Sequence, residues 1–419
     1  MNKESVIDGW FLLLAAVVPV SIAGTSLLYF PLIGLYILLG AWTFRQWPPH
    51  WGVVEKTFLC FWLISLLSAL FGMNPWISRI RLGKDLYILI LVLLGAYLAQ
   101  ENRNTQLTKV FMMSAILTAA FGIVQRIIGV DQTTNAGGTF FYLPPWLAHA
   151  PRSLVDHLSM VHGRSVGTRA HPLTYAEGLL FPLGYTLSVL AVRRSFSWKW
   201  ALGQFLVLLA LVFSKSRGPW IAASAMVFVV CLLNRDIVFY KRLALIYIPV
   251  ALCFFAPSMR ARAFSITNNK YDSNSERLEM WQAGRRMIQD HPLLGVGTGT
   301  MTQESGSYQL AARRREGPWG HLHNTYINIA AERGLLGLAA FLIFILALAS
   351  ELWEGYQASN ADEDSKIIIL TGLLCLVGWL VAGLTETVVH DSNVLMMFYF
   401  VMGLALAASR GLLKNLQRV

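Results

Sequence analysis

The run His321-Leu322-His323-Asn324-Thr325-Tyr326-Ile327 opens a long apolar segment directly after a polar loop that carries Arg313, Arg314 and Arg315. An imidazole titrates near neutral pH and can take a proton from a hydroxyl, while guanidinium groups grip phosphate oxygens through paired hydrogen bonds. Side by side, these residue types point to transfer of a phosphate-linked group at the edge of a bilayer. His323 is the residue placed to act as base. On a helix starting near it, His323, Ile327, Ala330 and Gly334 share one stripe, whose small residues admit a neighbouring helix. Glu332 falls on the opposite face, about 13 Å deeper at the helical rise. That excludes it as an orienter of His323 and suits it to helix–helix hydrogen bonding or to a basic partner inside the membrane.

Arginines elsewhere supply the candidate anion-binding half. Arg217 follows Ser214-Lys215-Ser216 and precedes Gly218-Pro219-Trp220, a short turn with proline in the first turn of the next span. It reads either as a substrate ligand or as an anchor on lipid head groups. Arg277 lies just inside a helix whose start is marked by the capping box Ser273-Asn274-Ser275-Glu276 and whose stop is marked by Pro292; the N-terminal dipole there favours an anion. For Arg313, Arg314 and Arg315, a solvated charge run and substrate guidance both stand. The glycines of Gly295-Val296-Gly297-Thr298-Gly299 follow a helix stop rather than a strand, so a turn explains them and a dinucleotide loop does not. No paired outer acids and no His-Glu-x-x-His spacing call for a metal, and neither metal nor cofactor is expected. Asp391, beside His390, reads as a lone acid that contacts an acceptor or ends a helix.

The elements that must position these residues are membrane helices. The chain has 419 residues, 55% hydrophobic and only 14% charged, with a mean hydropathy of +0.52, which excludes an ordinary soluble protein. Apolar stretches of spanning length recur to about twelve, starting near Trp10, Leu27, Val53, Leu86, Leu107, Leu173, Ala201, Trp220, Leu243, His323, Lys366 and Asn393. Residues 1–419 therefore read as a single polytopic unit. Cys60, Cys231, Cys253 and Cys375 all fall in apolar stretches without Cys or His neighbours, as structural thiols do.

The net charge of +11 is informative through its placement. Alternate short connections and the tails hold Arg45, Arg103, Arg193, Arg194, Lys199, Arg235, Lys241, Arg242, Arg410, Lys414 and Arg418, which the positive-inside rule assigns to the cytoplasm. Two long connections, residues 129–172 and 257–322, then face outward. The first carries Arg152, Arg164 and Arg169 and an aromatic, prolyl stretch Phe140-Phe141-Tyr142-Leu143-Pro144-Pro145-Trp146 expected to lie along the interface. Such a basic outer face fits an anionic substrate. Membrane lipids are expected partners and nucleic acid is not.

Four stretches in order resemble the O-antigen ligase and polymerase superfamily: Arg164-Ser165-Val166-Gly167-Thr168 with His171-Pro172; Ser216-Arg217-Gly218; Arg277 to Trp281 with His291-Pro292-Leu293-Leu294-Gly295-Val296-Gly297; and His323-Asn324 with Ile327 and Gly334. The likeness covers roughly residues 160–340, with Arg169 standing where an aromatic is common in the pattern. The resemblance implies an all-α integral membrane protein of GT-C-like architecture with about twelve spans and a large, mostly helical periplasmic loop region. It also implies a multi-pass place in a bacterial inner membrane with the active site facing the periplasm. The implied activity is a glycosyltransferase that moves a glycan from undecaprenyl pyrophosphate to a lipid A-core sugar hydroxyl, metal-independent and inverting. His323, Arg217 and Arg277 would be catalytic, Arg164, Arg169, Arg217 and Arg277 would bind the pyrophosphate, and Asn324 with Arg313, Arg314 and Arg315 would guide substrate. A polymerase or a protein O-oligosaccharyltransferase shares the donor. A transporter of lipid-linked sugars would need charges lining both halves of the bundle, and the inner halves of these spans are almost free of charge.

Overall fold

The structure, a computed structural model, describes residues 3–43, 51–98, 104–135, 138–142, 151, 155–156, 158–268, 272–308, 318–359 and 362–416. In hydrocarbon the backbone must satisfy its own polar groups, so the apolar runs become helices. In chain order these are α1 (Lys3–Val17), α2 (Ile22–Thr43), α3 (Val53–Phe71), α4 (Pro75–Asp85), α5 (Leu89–Leu98), α6 (Asn104–Ile128), α7 (Pro172–Gly178), α8 (Leu180–Val192), α9 (Trp198–Phe213) and α10 (Arg217–Leu233). They continue as α11 (Ile237–Ala251), α12 (Pro257–Phe264), α13 (Asp272–Asp290), α14 (Met301–Tyr308), α15 (Thr325–Ala358), α16 (Glu363–Ala382) and α17 (Ser392–Leu416).

Among the described residues, seven helical segments are long and apolar enough to cross a membrane: Val53–Phe71, Asn104–Ile128, Pro172–Val192, Ile237–Phe255, Thr325–Ala358, Glu363–Ala382 and Ser392–Lys414. Ile7–Val17, Ile22–Gly34, Trp198–Phe213 and Arg217–Leu233 form shorter apolar helices, and α5 covers the remaining expected segment. The buried share of the apolar window separates centre from rim: 89% for Ser392–Lys414 against 17% for Ile237–Phe255. Helix α16 packs on α8, α10, α15 and α17, and α15 packs on α3. The ends of α15 and α16 thereby bring residues 321–326 beside residues 383–388.

The two long connections differ in kind. The second is helical, through α12, α13 and α14, and a small apolar core of Met280, Ala283, Met287, Met301, Trp319 and Leu322 seats α13 on the segment that leads into α15. The first departs from the helical expectation. Strands β1 (Asp131–Asn135) and β2 (Gly138–Tyr142) form an antiparallel hairpin, and β3 (Met160–Val161) pairs parallel to β1. Threonines and adjacent aromatics favour extended backbone, so Phe140, Phe141 and Tyr142 are strand residues; positions 143–150 of the expected interfacial stretch lie outside the described residues.

Helix α15 also differs from the expected stripe. It starts at Thr325 with Asn324 as cap, so His323 stands before the helix with φ of 47°. At Gly334 the helix breaks, with φ 70° and ψ −178°. The break leaves two carbonyls without helical donors, and the 292–297 loop supplies them: Val296 N–H donates to Ala331 O at 2.9 Å and Gly297 N–H to Glu332 O at 3.0 Å. Leu335 N–H is turned outward and donates to Pro292 O at 2.8 Å. A Cβ at position 334 would stand 2.0 Å from Leu293 O. Glycine is therefore needed here for backbone shape and close approach together, rather than for a neighbouring helix.

Because that φ, ψ combination is essentially confined to glycine and costs other residues roughly 1–3 kcal/mol before any clash, Gly334→Ala should destabilise the protein by about 3 kcal/mol or more. Thermal unfolding in detergent checks this, with Gly83→Ala as control, since nothing lies within 4 Å of a Cβ there. Equal melting of the two variants would contradict the role of the break.

Candidate active site

The site is organised by a carboxylate in the turn between α16 and α17. Glu386 is 3% exposed. Its Oε2 faces Nδ1 of His323 at 2.6 Å, and its Oε1 accepts a hydrogen bond from Nη2 of Arg277. An ionised carboxylate only accepts hydrogen bonds, so Nδ1 of His323 is the donor, and in the neutral ring this tautomer leaves the lone pair on Nε2. The turn is fixed from both sides. Thr325 N–H donates to Gly383 O at 2.8 Å, Thr325 Oγ1 donates to Glu386 O at 2.9 Å, and Val388 N–H donates to Thr325 Oγ1 at 3.1 Å. Asn324 completes the clamp: Oδ1 accepts from the N–H groups of Tyr326 and Ile327, both at 3.0 Å, and Nδ2 donates to Leu384 O at 2.8 Å.

Arg217 is the first residue of α10 and is 7% exposed. Its Nη1 donates to Ser265 O at 2.6 Å and its Nη2 to Ser273 Oγ at 2.7 Å. Ser273 and Arg277 are four residues apart on α13 and so share a face, which ties the two guanidinium groups to one surface. Gly218 allows the Glu386 turn to come against Arg217, since a Cβ there would lie 2.5 Å from Thr385 Oγ1. Arg164 reaches the same turn from the first loop, with Nε donating to Ser214 O at 2.9 Å and Nη2 to Ser216 Oγ at 2.8 Å.

His171 feels Arg164, Glu386, Asp391 and His323 electrostatically; desolvation by the surrounding protein, then Arg164, holds its pKa below the ordinary histidine value. This keeps Nδ1 free to accept the Leu173 N–H at 3.2 Å, which caps α7. The structure thus joins Arg277 and His323 on Glu386, sets the Arg217 turn against the Glu386 turn at Gly218, and ties Arg164 to the Arg217 turn.

Other candidates go elsewhere. Arg169, expected at the pyrophosphate, is 9% exposed and spends its donors on the scaffold, at Asn393 Oδ1 (2.5 Å), Pro19 O (2.5 Å) and Val18 O (3.2 Å). Burial lowers its pKa to about 10. It ties the start of α17 to the α1–α2 turn, whereas Arg217, equally buried, lies against the Glu386 turn. Asn324, expected to guide substrate, is consumed as cap and clamp. Arg313, Arg314 and Arg315 lie outside the described residues. Glu332 is fully buried beside Arg333 Nη1 at 3.4 Å and His390 Nε2 at 3.5 Å. Asp391 caps α17 through Asn393 N–H at 2.9 Å and accepts from Thr174.

Glu386 is the member that reading the sequence missed. The available signal was a second acid in the same short connection as Asp391.

His321, His323 and Glu386 also bring possible metal-ligand atoms within 4.8 Å of one another. Two imidazoles and a carboxylate are a fitting donor set for a divalent cation. Against that use, the Arg277 guanidinium already sits on the same carboxylate and would repel a second cation.

An uncharacterized protein of Haemophilus influenzae is 22% identical over 216 residues, which are 46% of this chain and 52% of that protein, so the chain spans about half the length of the curated relative it matches. Residues 202–342, which include Arg217, Arg277, His323 and Gly334, match the family model described as O-antigen ligase, and this match supports membership of the chain in the O-antigen ligase superfamily.

Proposed function

We propose that this protein is a lipopolysaccharide O-antigen ligase, transferring a glycan from undecaprenyl pyrophosphate to a hydroxyl of a lipid A-core sugar at the periplasmic face of the bacterial inner membrane. The observation that carries the reading is the division of Glu386 between His323 and Arg277. One oxygen fixes the base, and the other holds a cation that can meet the departing anion.

In the proposed step, the acceptor hydroxyl gives its proton to Nε2 of His323 while its oxygen attacks the anomeric carbon from the side opposite the pyrophosphate. The carbon–oxygen bond to the carrier breaks, and its electron pair leaves with the pyrophosphate. The glycosidic bond forms with inversion, and His323 is left as an imidazolium opposed by the Glu386 carboxylate. Arg277, Arg217 and Arg164 neutralise the leaving group, the task that preorganised cations perform at developing charge. The donor is already activated, so no nucleotide is consumed and no metal is required.

The expected outcomes are measured with purified protein, lipid-linked glycan and lipid A-core. His323→Ala should lower the turnover rate by about 10² to 10⁴-fold, the usual worth of a general base. Wild-type rates in that variant would remove His323 from the role. Glu386→Gln should reduce kcat by on the order of 10²-fold or more, because a neutral amide leaves the imidazole with the wrong tautomer and the imidazolium unopposed. Arg217→Ala and Arg277→Ala should each cost a comparable factor in kcat; donor binding and turnover both unchanged would make them scaffold or lipid contacts instead. Excess chelator should leave the rate as it is, and loss of activity restored by a divalent cation would instead assign His321, His323 and Glu386 to a metal. Mass analysis of the product separates the readings of the donor chemistry: glycan on the core marks a ligase, a longer carrier-linked chain a polymerase.

A further inference from the structure

At the end of the bundle opposite His323, α8, α10, α15 and α16 border an open-mouthed cavity of about 220 Å³ lined in part by Val192, Asn234, Arg235, Tyr356, Lys366 and Leu370. Helix α16 rises roughly 24 Å from Lys366 to Ala382, and the turn to Glu386 follows it, so this cavity is distinct from the candidate active site. It is far larger than the roughly 10–15 Å³ that admits one water. Two cations line it, and no acidic side chain does. The Lys366 ammonium is carried over the Tyr356 ring at 5.3 Å. Asn234 is fixed at its other edge, with Nδ2 donating to Ala191 O at 2.9 Å and Oδ1 accepting the Asp236 N–H at 2.9 Å. Next to Val192 in the chain, Arg193 pairs with Asp364 at 2.7 Å yet leaves its buried Nε without a hydrogen-bond partner.

A polar cavity that collects two cations between helix ends, with no acidic side chain in its lining, suits an anion with several acceptor oxygens. We propose that this cavity is a phosphate site, filled by the head-group phosphate of an anionic lipid or by free phosphate. Basic pockets between helices at one membrane face suit the first source, and their charge alone suits the second. A carboxylate-bearing ligand offers fewer oxygens to so many donors. The occupant would tie α8, α10, α15 and α16 together at the end remote from the chemistry.

The test measures two ligands on the intact protein in detergent: phosphatidylglycerol, with phosphatidylcholine as reference, by native mass spectrometry, and inorganic phosphate by calorimetry. At least one of the two should bind, with phosphatidylglycerol retained in preference to phosphatidylcholine if the lipid is the source. Arg235→Gln and Lys366→Gln should each weaken that binding about fivefold, and the double variant roughly thirtyfold, from the usual worth of a basic residue near an anionic head group. The exchange Arg235→Lys with Lys366→Arg keeps both charges and should keep binding within a few-fold, which separates loss of the site from loss of the fold. Retention of phosphatidylglycerol that excess inorganic phosphate does not displace assigns the lipid; binding of inorganic phosphate without lipid preference assigns the free anion. Binding of neither, or binding that the double variant leaves unchanged, overturns the proposal.

Discussion

A single buried carboxylate with two oxygens and two different partners sets the geometry of the end of the bundle that holds the candidate site. Glu386 is removed from water, so its charge must be met by neighbours, and removing one partner of such a pair costs about 3–5 kcal/mol. Arg277 and His323 meet it from separate elements, α13 and the approach to α15. His323, which stands before its helix, is thereby fixed in place without a regular element of its own, and the Arg277 side chain is fixed at the end of its reach from α13. The left-handed backbone of His323 is tolerated because Asn324, Thr325 and the 383–388 turn over-determine it, as sparsely populated conformations at functional sites generally require.

The parts of the fold that hydropathy controls were legible in the sequence, because membrane helices are dictated by composition over a full window. His323 and the arginines were legible as chemistry for the same local reason: each stands in a short run whose residue types announce it. What escaped depends on contacts between distant segments. Glu386 lies 63 residues from His323, in a turn where an acid looks unremarkable. Arg169 looked like the other outer arginines, and only its contacts with Pro19 and Asn393 show that it holds helices together. Gly334 was visible as a small residue, but the broken helix and the loop that mends it are visible only in three dimensions.

The family match and the site do not share boundaries. Residues 202–342 contain Arg217, Arg277 and His323, whereas Arg164, His171 and Glu386 come from before and after them. The matched segment holds His323, Arg217 and Arg277, three of the four groups that would face the substrates. The flanking segments supply what aims them: Arg164 braces the Arg217 turn through Ser216, and Glu386 fixes both His323 and Arg277. The candidate site is thus assembled from stretches of chain inside and outside the matched segment.

The clamp between Thr325 and residues 383–388 has a bearing on biogenesis. During synthesis the arginines and His323 leave the ribosome well before Glu386, and that turn reaches its place only when α16 has been threaded through the bilayer. Until then the imidazole has no carboxylate to fix its tautomer, and Arg277 has no anchor on that side. A half-inserted chain therefore carries every substrate-facing group yet lacks the arrangement that would make them reactive. Under the function proposed above, folding order would itself keep an immature chain from consuming an activated donor.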